Sequence, residues 1–373
     1  MKVLVNGGND GMSTGSGITE FVLQNYSRIN NGEVQFHFLL DGSENNSAEF
    51  MNQHNMSYTL LPSFHEEPLT ALREWQRYLN IEMKNFDAIH FHVDSLLRAF
   101  KFHEAKRAGA KRIIVQSHNS AHDNGLVRKS VSGIGRMITK HDVTDYLTCS
   151  NLAANIYPSS VKVTLIKNGI DTQHFAFNEK TRKRMRQEFD IDSETNVYLH
   201  VGRINRVKNQ SFVLDVFKKI LVTDTTAKLI LVGRGEDEEK IVEKIKNDDL
   251  TDHVLMLGFR EDVAEIMSAA DCVIFPSLHE GLPYVLIEAQ ANGLPIVCAN
   301  TVTDEVSISK LVTFLDLAVS VDEWANTASR LVKHFSMTKR SDFNAVVRSK
   351  GYDIAESSMD LYNYYLNMNK QEV

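Results

Sequence analysis

The sequence predicts an α/β protein made of two successive doubly wound domains, each a parallel sheet covered by helices on both faces. Three observations carry this. The chain has 373 residues, too many for one ordinary core and enough for two. Short β-branched runs alternate with longer runs of helical period from one end to the other. The strand runs are apolar on both faces, as in sheets buried on both sides rather than sheets with one wet face. A composition of 43% hydrophobic and 24% charged residues is that of an ordinary globular protein.

In order, the first series of strands reads "KVLVN" (2–6), "VQFHFLL" (34–40), "YTLLP" (58–62), "AIHFHV" (88–93), "RIIVQS" (112–117), "YLTCS" (146–150) and "KVTLIKN" (162–168). The alternation then restarts with "VYLHVG" (197–202), "KLILVG" (228–233), "VLMLG" (254–258), "CVIFPS" (272–277) and "PIVCA" (295–299). Between them lie helical patterns such as "SFVLDVFKKILV" (211–222) and "EKIVEKIKN" (239–247). The boundary falls where "KVTLIKN" gives way to "GIDTQHF", so the expected domains are 1–170 and 171–352. The closing helical segment, 353–370, is able to pack back on the first domain.

The formal net charge of −7 argues against a general nucleic-acid binder, whose affinity would rest on neutralising phosphates. Cys149, Cys272 and Cys298 are too scattered for a disulfide framework or a zinc knuckle and read as small core residues of a protein in a reducing cytosol. No uncharged apolar stretch approaches the ~20 residues of a spanning helix, and "MKVLVNGG" has no apolar signal-peptide core. Basic clusters at 98–112, 128–140 and 180–186 stand out from the acidic background. They read first as solvated helix faces, and alternatively as contacts with an anionic membrane surface.

In open parallel sheets the ligand lies beyond the carboxyl ends of the strands. The residues expected there include Gly7-Gly8 and the loop to Gly17, His92, His118-Asn119, Asn168-Gly169, Gly202-Arg203, Gly233-Arg234 and 277–281. In "HVGRINRVKN" (200–209), Arg203 and Lys208 follow a strand that ends at Gly202. Two cations on one loop can clamp a pyrophosphate, Arg by its fork and Lys as a point charge. In "SLHEGLPYVLIEAQANGLP" (277–295) a buried strand delivers Glu280 and Gly281, and a helix is expected to start near Leu282 and Pro283. Its N-terminal amides suit a phosphate or a sugar hydroxyl. Glu288 follows about two turns on and can accept the two hydroxyls of a ribose. Gly293 and Pro295 then stop the helix and launch the next strand.

The stretch "PSLHEGLPYVLIEAQANGLPIV" resembles the E-x7-E signature of the retaining glycosyltransferases of family four, and looks most like the branch that builds bacterial exopolysaccharides and capsules. "IHFHVDS", "QSHNS", "IKNGIDTQHF", "HVGRINRVKNQSF" and "LILVGRGEDEEKI" fall in the family's order over nearly the whole chain. The resemblance implies the GT-B fold, two Rossmann-like domains facing across a cleft, with the acceptor on the first and a nucleoside diphosphate sugar on the second. It implies that Arg203 and Lys208 hold the diphosphate and support its departure, and that Glu288 binds the ribose. Glu280, with the amides of Gly281 and Leu282, would hold the donor sugar, and Gly202, Gly233 and Arg234 would lie by the nucleotide. His118 matches the histidine lining the acceptor side near the anomeric carbon, with His92 and Asn119 beside it. Asn168-Gly169 matches the hinge between domains.

At the first helix the chain departs from the family's paired-glycine turn. Gly15 and Gly17 are separated by Ser16 in "GMSTGSGITEF", a turn still able to aim amides at a phosphate. Asp190–Asp192 formally match a metal-binding Asp-x-Asp, but they precede a strand and so fall at the wrong edge of the sheet. No His pair has a zinc spacing. The expectation is therefore a retaining, metal-independent hexosyltransferase with no cofactor beyond a nucleotide-sugar donor, most simply a UDP-sugar. Its acceptor would be a growing, lipid-linked glycan, with peripheral contact at the inner membrane face. A nucleotide-sugar epimerase or hydrolase, or a non-catalytic glycan-binding partner, are the alternatives.

Overall fold

The computed structural model describes residues 1–7, 17–42, 47–119, 126–335 and 339–370. It divides into two units, Met1–Gly169 with Ile354–Val373, and Ile170–Asp353. The chain therefore leaves the first unit after Gly169 and returns to it at Ile354.

The first unit holds seven strands, β1 (Lys2–Asn6), β2 (Gln35–Asp41), β3 (Ser57–Leu61), β4 (Ala88–Val93), β5 (Ile113–Ser117), β6 (Asp145–Thr148) and β7 (Val163–Leu165). They pair in parallel in the order β3-β2-β1-β4-β5-β6-β7. β4 is buried at every residue, which is why "AIHFHV" is apolar or aromatic on both faces. On one face Leu4, Ile89, Phe91, Ile113 and Val115 pack with Trp75, Leu79 and Phe102 from the covering helices. The final helix, Ile354–Lys370, belongs here and lies against the helix Gly17–Ile29. Asn25 Oδ1 accepts hydrogen bonds from Ser357 and Ser358 (3.0 and 3.1 Å).

The second unit holds β8 (Val197–Val201), β9 (Lys228–Val232), β10 (Val254–Gly258), β11 (Cys272–Phe275), β12 (Ile296–Ala299) and β13 (Val312–Leu315). These too are parallel, in the order β10-β9-β8-β11-β12-β13. The two-residue period sorts alternate side chains to opposite faces. Leu199, Ile230, Val273, Phe275, Ile296 and Cys298 enter one core, and Tyr198, Leu229, Cys272, Ile274, Val297 and Ala299 the other. β13 was absent from the expected strands. It has four residues, all half-buried, at the sheet edge, inside an apolar run that shows no alternation.

In both sheets the strand order reverses direction at one place, between β1 and β4 and between β8 and β11. Such reversals open a crevice at the carboxyl ends of the flanking strands. Every chemistry-bearing loop considered below leaves one of these strands or a neighbour.

Candidate active site

At the β8/β11 reversal, Lys208 from the loop after β8 and Glu280 from the loop after β11 meet. Lys208 Nζ lies 2.7 Å from Glu280 Oε1, and the two side chains are only 19% and 17% exposed. The ammonium also sits 4.9 Å from the centroid of Phe275, the last residue of β11, a cation–π contact that anchors the lysine from below. Its methylenes pass so closely over Gly202 that a Cβ there would stand 3.2 Å from Cδ and Cε.

The approach is possible because the neighbouring strand ends are also stacked without side chains. Gly233, which follows β9, has φ +133°, and a Cβ on it would fall 2.1 Å from the Gly202 carbonyl oxygen. Only glycine satisfies both the backbone angle and the contact. Arg234 then lies across Gly258 at the end of β10, and its carbonyl accepts from Ile204 N (2.9 Å).

A polar network holds the loop that carries Lys208. His200, on β8, donates from Nδ1 to the Ile274 carbonyl (2.9 Å), because a carbonyl can only accept. Its Nε2 is then the acceptor for Gln210 Nε2 (3.2 Å). The same amide donates to Arg203 O (2.9 Å), and its oxygen accepts from Asn205 N (3.3 Å). Asn205 Oδ1 in turn accepts from Lys208 N (3.0 Å). Burial pushes the His200 imidazole down to about 4, with the Ile274 bond acting against burial and Lys208 acting with it. His200 is thus a neutral, single-tautomer strut. The motif reading took in Arg203 and Lys208 but not His200, Asn205 or Gln210. Their only sequence signal is polarity at positions where the strand and helix periods demand burial.

Arg203 stands apart from this cluster. It is 70% exposed and pairs with Glu236 (3.0 Å), so the structure does not bring it into the Lys208–Glu280 contact. Gly281, Leu282 and Pro283 are buried, and the backbone of Glu280 is bridged to Val302. The helix begins at Tyr284, with Pro283 as its N-cap rather than in its first turn. It ends in a Schellman motif. Leu294 N bonds Ala289 O (2.8 Å), Gly293 N bonds Gln290 O (3.0 Å), and Gly293 has φ +73°. Along this otherwise apolar helix, Tyr284–Ala291, the polar residues are Glu288, which is half-buried, and Gln290. Gln290 is occupied by Leu286 O, Val306 O and Ser309.

In the first unit, His92 on β4 and His118, just beyond β5, are both buried. His118 Nε2 and His92 Nδ1 are 2.9 Å apart, and His92 Nε2 meets the Tyr26 hydroxyl at 2.9 Å. Tyr26 continues to His90 Nδ1 (3.0 Å) and to the Tyr365 hydroxyl of the final helix (2.9 Å). Burial pushes His90 and His118 down to about 3 and His92 well below its ordinary value. The three imidazoles are therefore neutral, and His118 Nδ1 has no partner among the described residues. Tyr26 and Tyr365 were not anticipated. They come from helices whose buried faces look merely aromatic in sequence.

Asn119 follows His118 and is half-buried. Gly17 opens the first helix, whereas Gly15 and Ser16 lie outside the described residues. Asp190–Asp192 sit on the amino-terminal side of β8, where the Asp192 carbonyl accepts from Arg186 (2.9 Å). A cavity of about 440 Å³ opens at that same edge, lined in part by Arg182, Asp271 and Arg340. Arg182 and Arg340 donate to backbone carbonyls at 268–270 and 292, and Arg182 also pairs with Asp271, so this edge is scaffold rather than a counterpart of the strand-end loops. Among the described residues no group of His, Cys, Asp and Glu is arranged to hold a metal ion.

Residues 181–336 match the family described as glycosyl transferases group 1. The chain is 28% identical over 365 residues to the putative glycosyltransferase EpsF of Bacillus subtilis, covering 95% of this chain and 94% of that one. It is 24% identical over 307 residues to a UDP-Gal:alpha-D-GlcNAc-diphosphoundecaprenol alpha-1,3-galactosyltransferase of Escherichia coli, covering 78% of each. Its fold superposes on that of HepE of Anabaena in complex with UDP-glucose with a TM-score of 0.81 at 16% identity, over 99% of this chain and all of the other. Residues 181–336 thus carry a glycosyl transferases group 1 domain, in a chain with the GT-B fold.

Proposed function

We propose that this protein is a retaining, metal-independent hexosyltransferase of the cytosol. It moves a hexose or N-acetylhexosamine from a UDP-sugar to a growing, lipid-linked glycan during exopolysaccharide or capsule synthesis. The observation that carries the reading is the Lys208–Glu280 pair at the β8/β11 reversal, a cation fixed where a diphosphate would lie. The diphosphoundecaprenol galactosyltransferase favours the lipid-linked acceptor, and the similarity to the capsular polysaccharide biosynthesis glycosyltransferase CapH of Staphylococcus aureus, 24% identical over 300 residues, favours the polysaccharide setting. The UDP-glucose complex of HepE favours the uridine donor.

In this reading Lys208 neutralises charge as it develops on the departing diphosphate, where a preorganised cation acts most strongly. Arg203 swings from Glu236 to the distal phosphate, and Arg234 and the Gly202 and Gly233 backbone flank the nucleotide. Glu288 accepts the ribose hydroxyls. Glu280 keeps Lys208 on Oε1 and offers Oε2, with the Gly281 and Leu282 amides, to the sugar. His118 presents Nδ1 to the acceptor side, with His92 behind it and Asn119 beside it. Gly15 and Ser16 belong to that acceptor side, and Gly17 to the donor. The acceptor hydroxyl attacks on the face the diphosphate leaves, and a diphosphate oxygen takes its proton.

Calorimetric titration with UDP, GDP and ADP, with EDTA or magnesium, tests the donor site on wild type and Arg203→Ala. Metal-independent binding of UDP that is weakened in the variant is expected. Binding of none of the three would remove the reading. Conversion of UDP-glucose to an epimer or to free sugar without acceptor would favour the nucleotide-sugar epimerase or hydrolase instead.

A further inference from the structure

The helix Gln210–Leu221, which follows the Lys208 loop, opens on Asn209 as its N-cap. Asparagine is favoured there because its side-chain oxygen can accept from the first free amides, with an extended backbone. Asn209 does neither. It makes no side-chain cap, and its backbone is left-handed (φ 59°, ψ 43°). Among the described residues the other non-glycine residues with positive φ are Asn55, Asp190 and Asp249. Each of these follows the end of a helix, Ser47–Gln53, Glu179–Glu188 or Glu238–Asn247, where a left-handed residue is a common stop. Asn209 instead joins two turns. It closes the one that contains Lys208, donating to Asn205 O (3.3 Å), and opens the helix by accepting from Phe212 N (3.0 Å) and Val213 N (3.3 Å).

The carboxamide that does not cap the helix reaches across to the next loop. Asn209 Nδ2 donates to Pro276 O (3.2 Å), the only sense possible because a carbonyl can only accept. Leu278 N donates to Val207 O (2.8 Å). With 207 tied to 278 and 209 tied to 276, the two segments run antiparallel and Lys208 lies between the ties. Pro276 directly follows Phe275, whose ring the Lys208 ammonium faces at 4.9 Å, and Glu280 lies two residues beyond Leu278. The ties therefore fix the lysine backbone to the segment that carries both partners of its side chain. Asparagine supplies both requirements at this position. It tolerates the left-handed region and carries an N–H donor, whereas glycine offers only the first.

We propose that Asn209 is a positioning residue of the donor site, its left-handed backbone and its bond to the Pro276 carbonyl holding Lys208 against Glu280 and Phe275. A lysine is a point charge on a flexible stem, and fixing its backbone beforehand lowers the cost of ordering it on a ligand. The role rests on the reading of Lys208 as the diphosphate cation, and Asn209 acts through that lysine without touching the donor.

Acetylation of the full chain with acetic anhydride, read lysine by lysine in a mass spectrometer, tests the positioning with no nucleotide present. Asn209→Gly keeps the left-handed backbone and loses only the amide. Lys208 should then react about tenfold faster than in wild type, the factor expected for one lost hydrogen bond, while the other lysines keep their rates. Asn209→Ala, which also strains the backbone, should raise the Lys208 rate further. In calorimetry Asn209→Gly should weaken UDP binding about tenfold, and in a Lys208→Met background it should weaken it no further. A Lys208 rate within twofold of wild type in Asn209→Gly would overturn the proposal, as would an equal rise at every lysine. The same loss of UDP affinity with and without Lys208 would also overturn it, because the amide would then act elsewhere. A selective rise at Lys208 in a protein that binds no UDP would remove the donor reading and leave the positioning supported.

Discussion

Replacing Lys208 with Met tests the donor-site reasoning most directly, because it removes a charge while keeping the methylenes that lie over Gly202. At 2.7 Å and an effective dielectric near 20, the attraction to Glu280 is about 6 kcal/mol. Desolvation of two side chains that are less than one-fifth exposed offsets most of this, leaving a net coupling of about 1–2 kcal/mol. A double-mutant cycle with Glu280→Gln in urea unfolding should return that coupling. Lys208→Met alone should be the most destabilised corner, since it strands a carboxylate. For UDP, loss of a charge-assisted bond worth about 1.5–3 kcal/mol weakens binding by about 10- to 150-fold. Glu280→Gln should do the reverse, binding UDP as well or better because the lysine loses its competitor, while sugar transfer falls. Calorimetry reads both. A UDP dissociation constant within twofold of wild type in Lys208→Met, or a coupling of zero, would refute the assignment of this pair to the diphosphate.

Other outcomes follow from the same geometry. Gly233→Ala must relieve a Cβ 2.1 Å from the Gly202 oxygen at φ +133°, so it should lose about 3 kcal/mol in urea unfolding and bind UDP poorly. Asp271→Asn strands Arg186, which is 4% exposed and bonded to Asp271 at 2.6 Å; a loss of about 3 kcal/mol with UDP affinity retained is expected. Tyr26→Phe removes the bond to His92 Nε2 and should cost about 1–3 kcal/mol, lowering transfer rate while UDP affinity stays put. Stability should also depend on pH. His200 protonates near 4 when folded and near 6.5 when unfolded, so the unfolded state binds more protons between those values. Its contribution is full above about pH 6.5 and shrinks as pH falls towards 4, by about 2 kcal/mol at pH 5. His90 and His118, held at about 3, act in the same direction, and a urea midpoint that does not fall from pH 7.5 to 5 would contradict their neutrality.

Much of the second unit was legible because its signals are local. Strand, glycine, then a charged loop is a pattern read along the chain, and β8 with Gly202 and Lys208, β9 with Gly233, and β11 with Glu280 all come from such reading. The partners of those residues are not local. Gln210 bonds His200 because a helix folds back on its own strand, and Lys208 meets Glu280 across 72 positions of sequence, from 208 to 280. Arg203 shows the converse. Its spacing from Lys208 suggested a joint clamp, yet the side chain turns to Glu236 on the next strand-end loop, which no spacing rule encodes. Tyr365 reaches the His90–Tyr26 group only because the chain's last helix returns to its first unit.

The helix Leu126–Asp142 marks where periodicity stops being informative. A helical period reports that two faces differ, not which one is inside. The usual inference assigns the apolar face to the core, and for Val131, Ile134 and Met137 it fails. Among the described residues, small and polar ones take the fully buried positions through a close approach at Gly135, a bond within the helix at Thr139 and an ion cluster at Asp142, while Ile138 packs half-buried against the core. The first and the last need partners from elsewhere in the fold, Leu96 for one and His103 with Lys106 for the other. Consistency between pattern and packing is the rule in folded chains, and departures concentrate where a surface has work outside the core. Within the basic cluster, Arg136 and Lys140 stand exposed beside Ile134 and Met137.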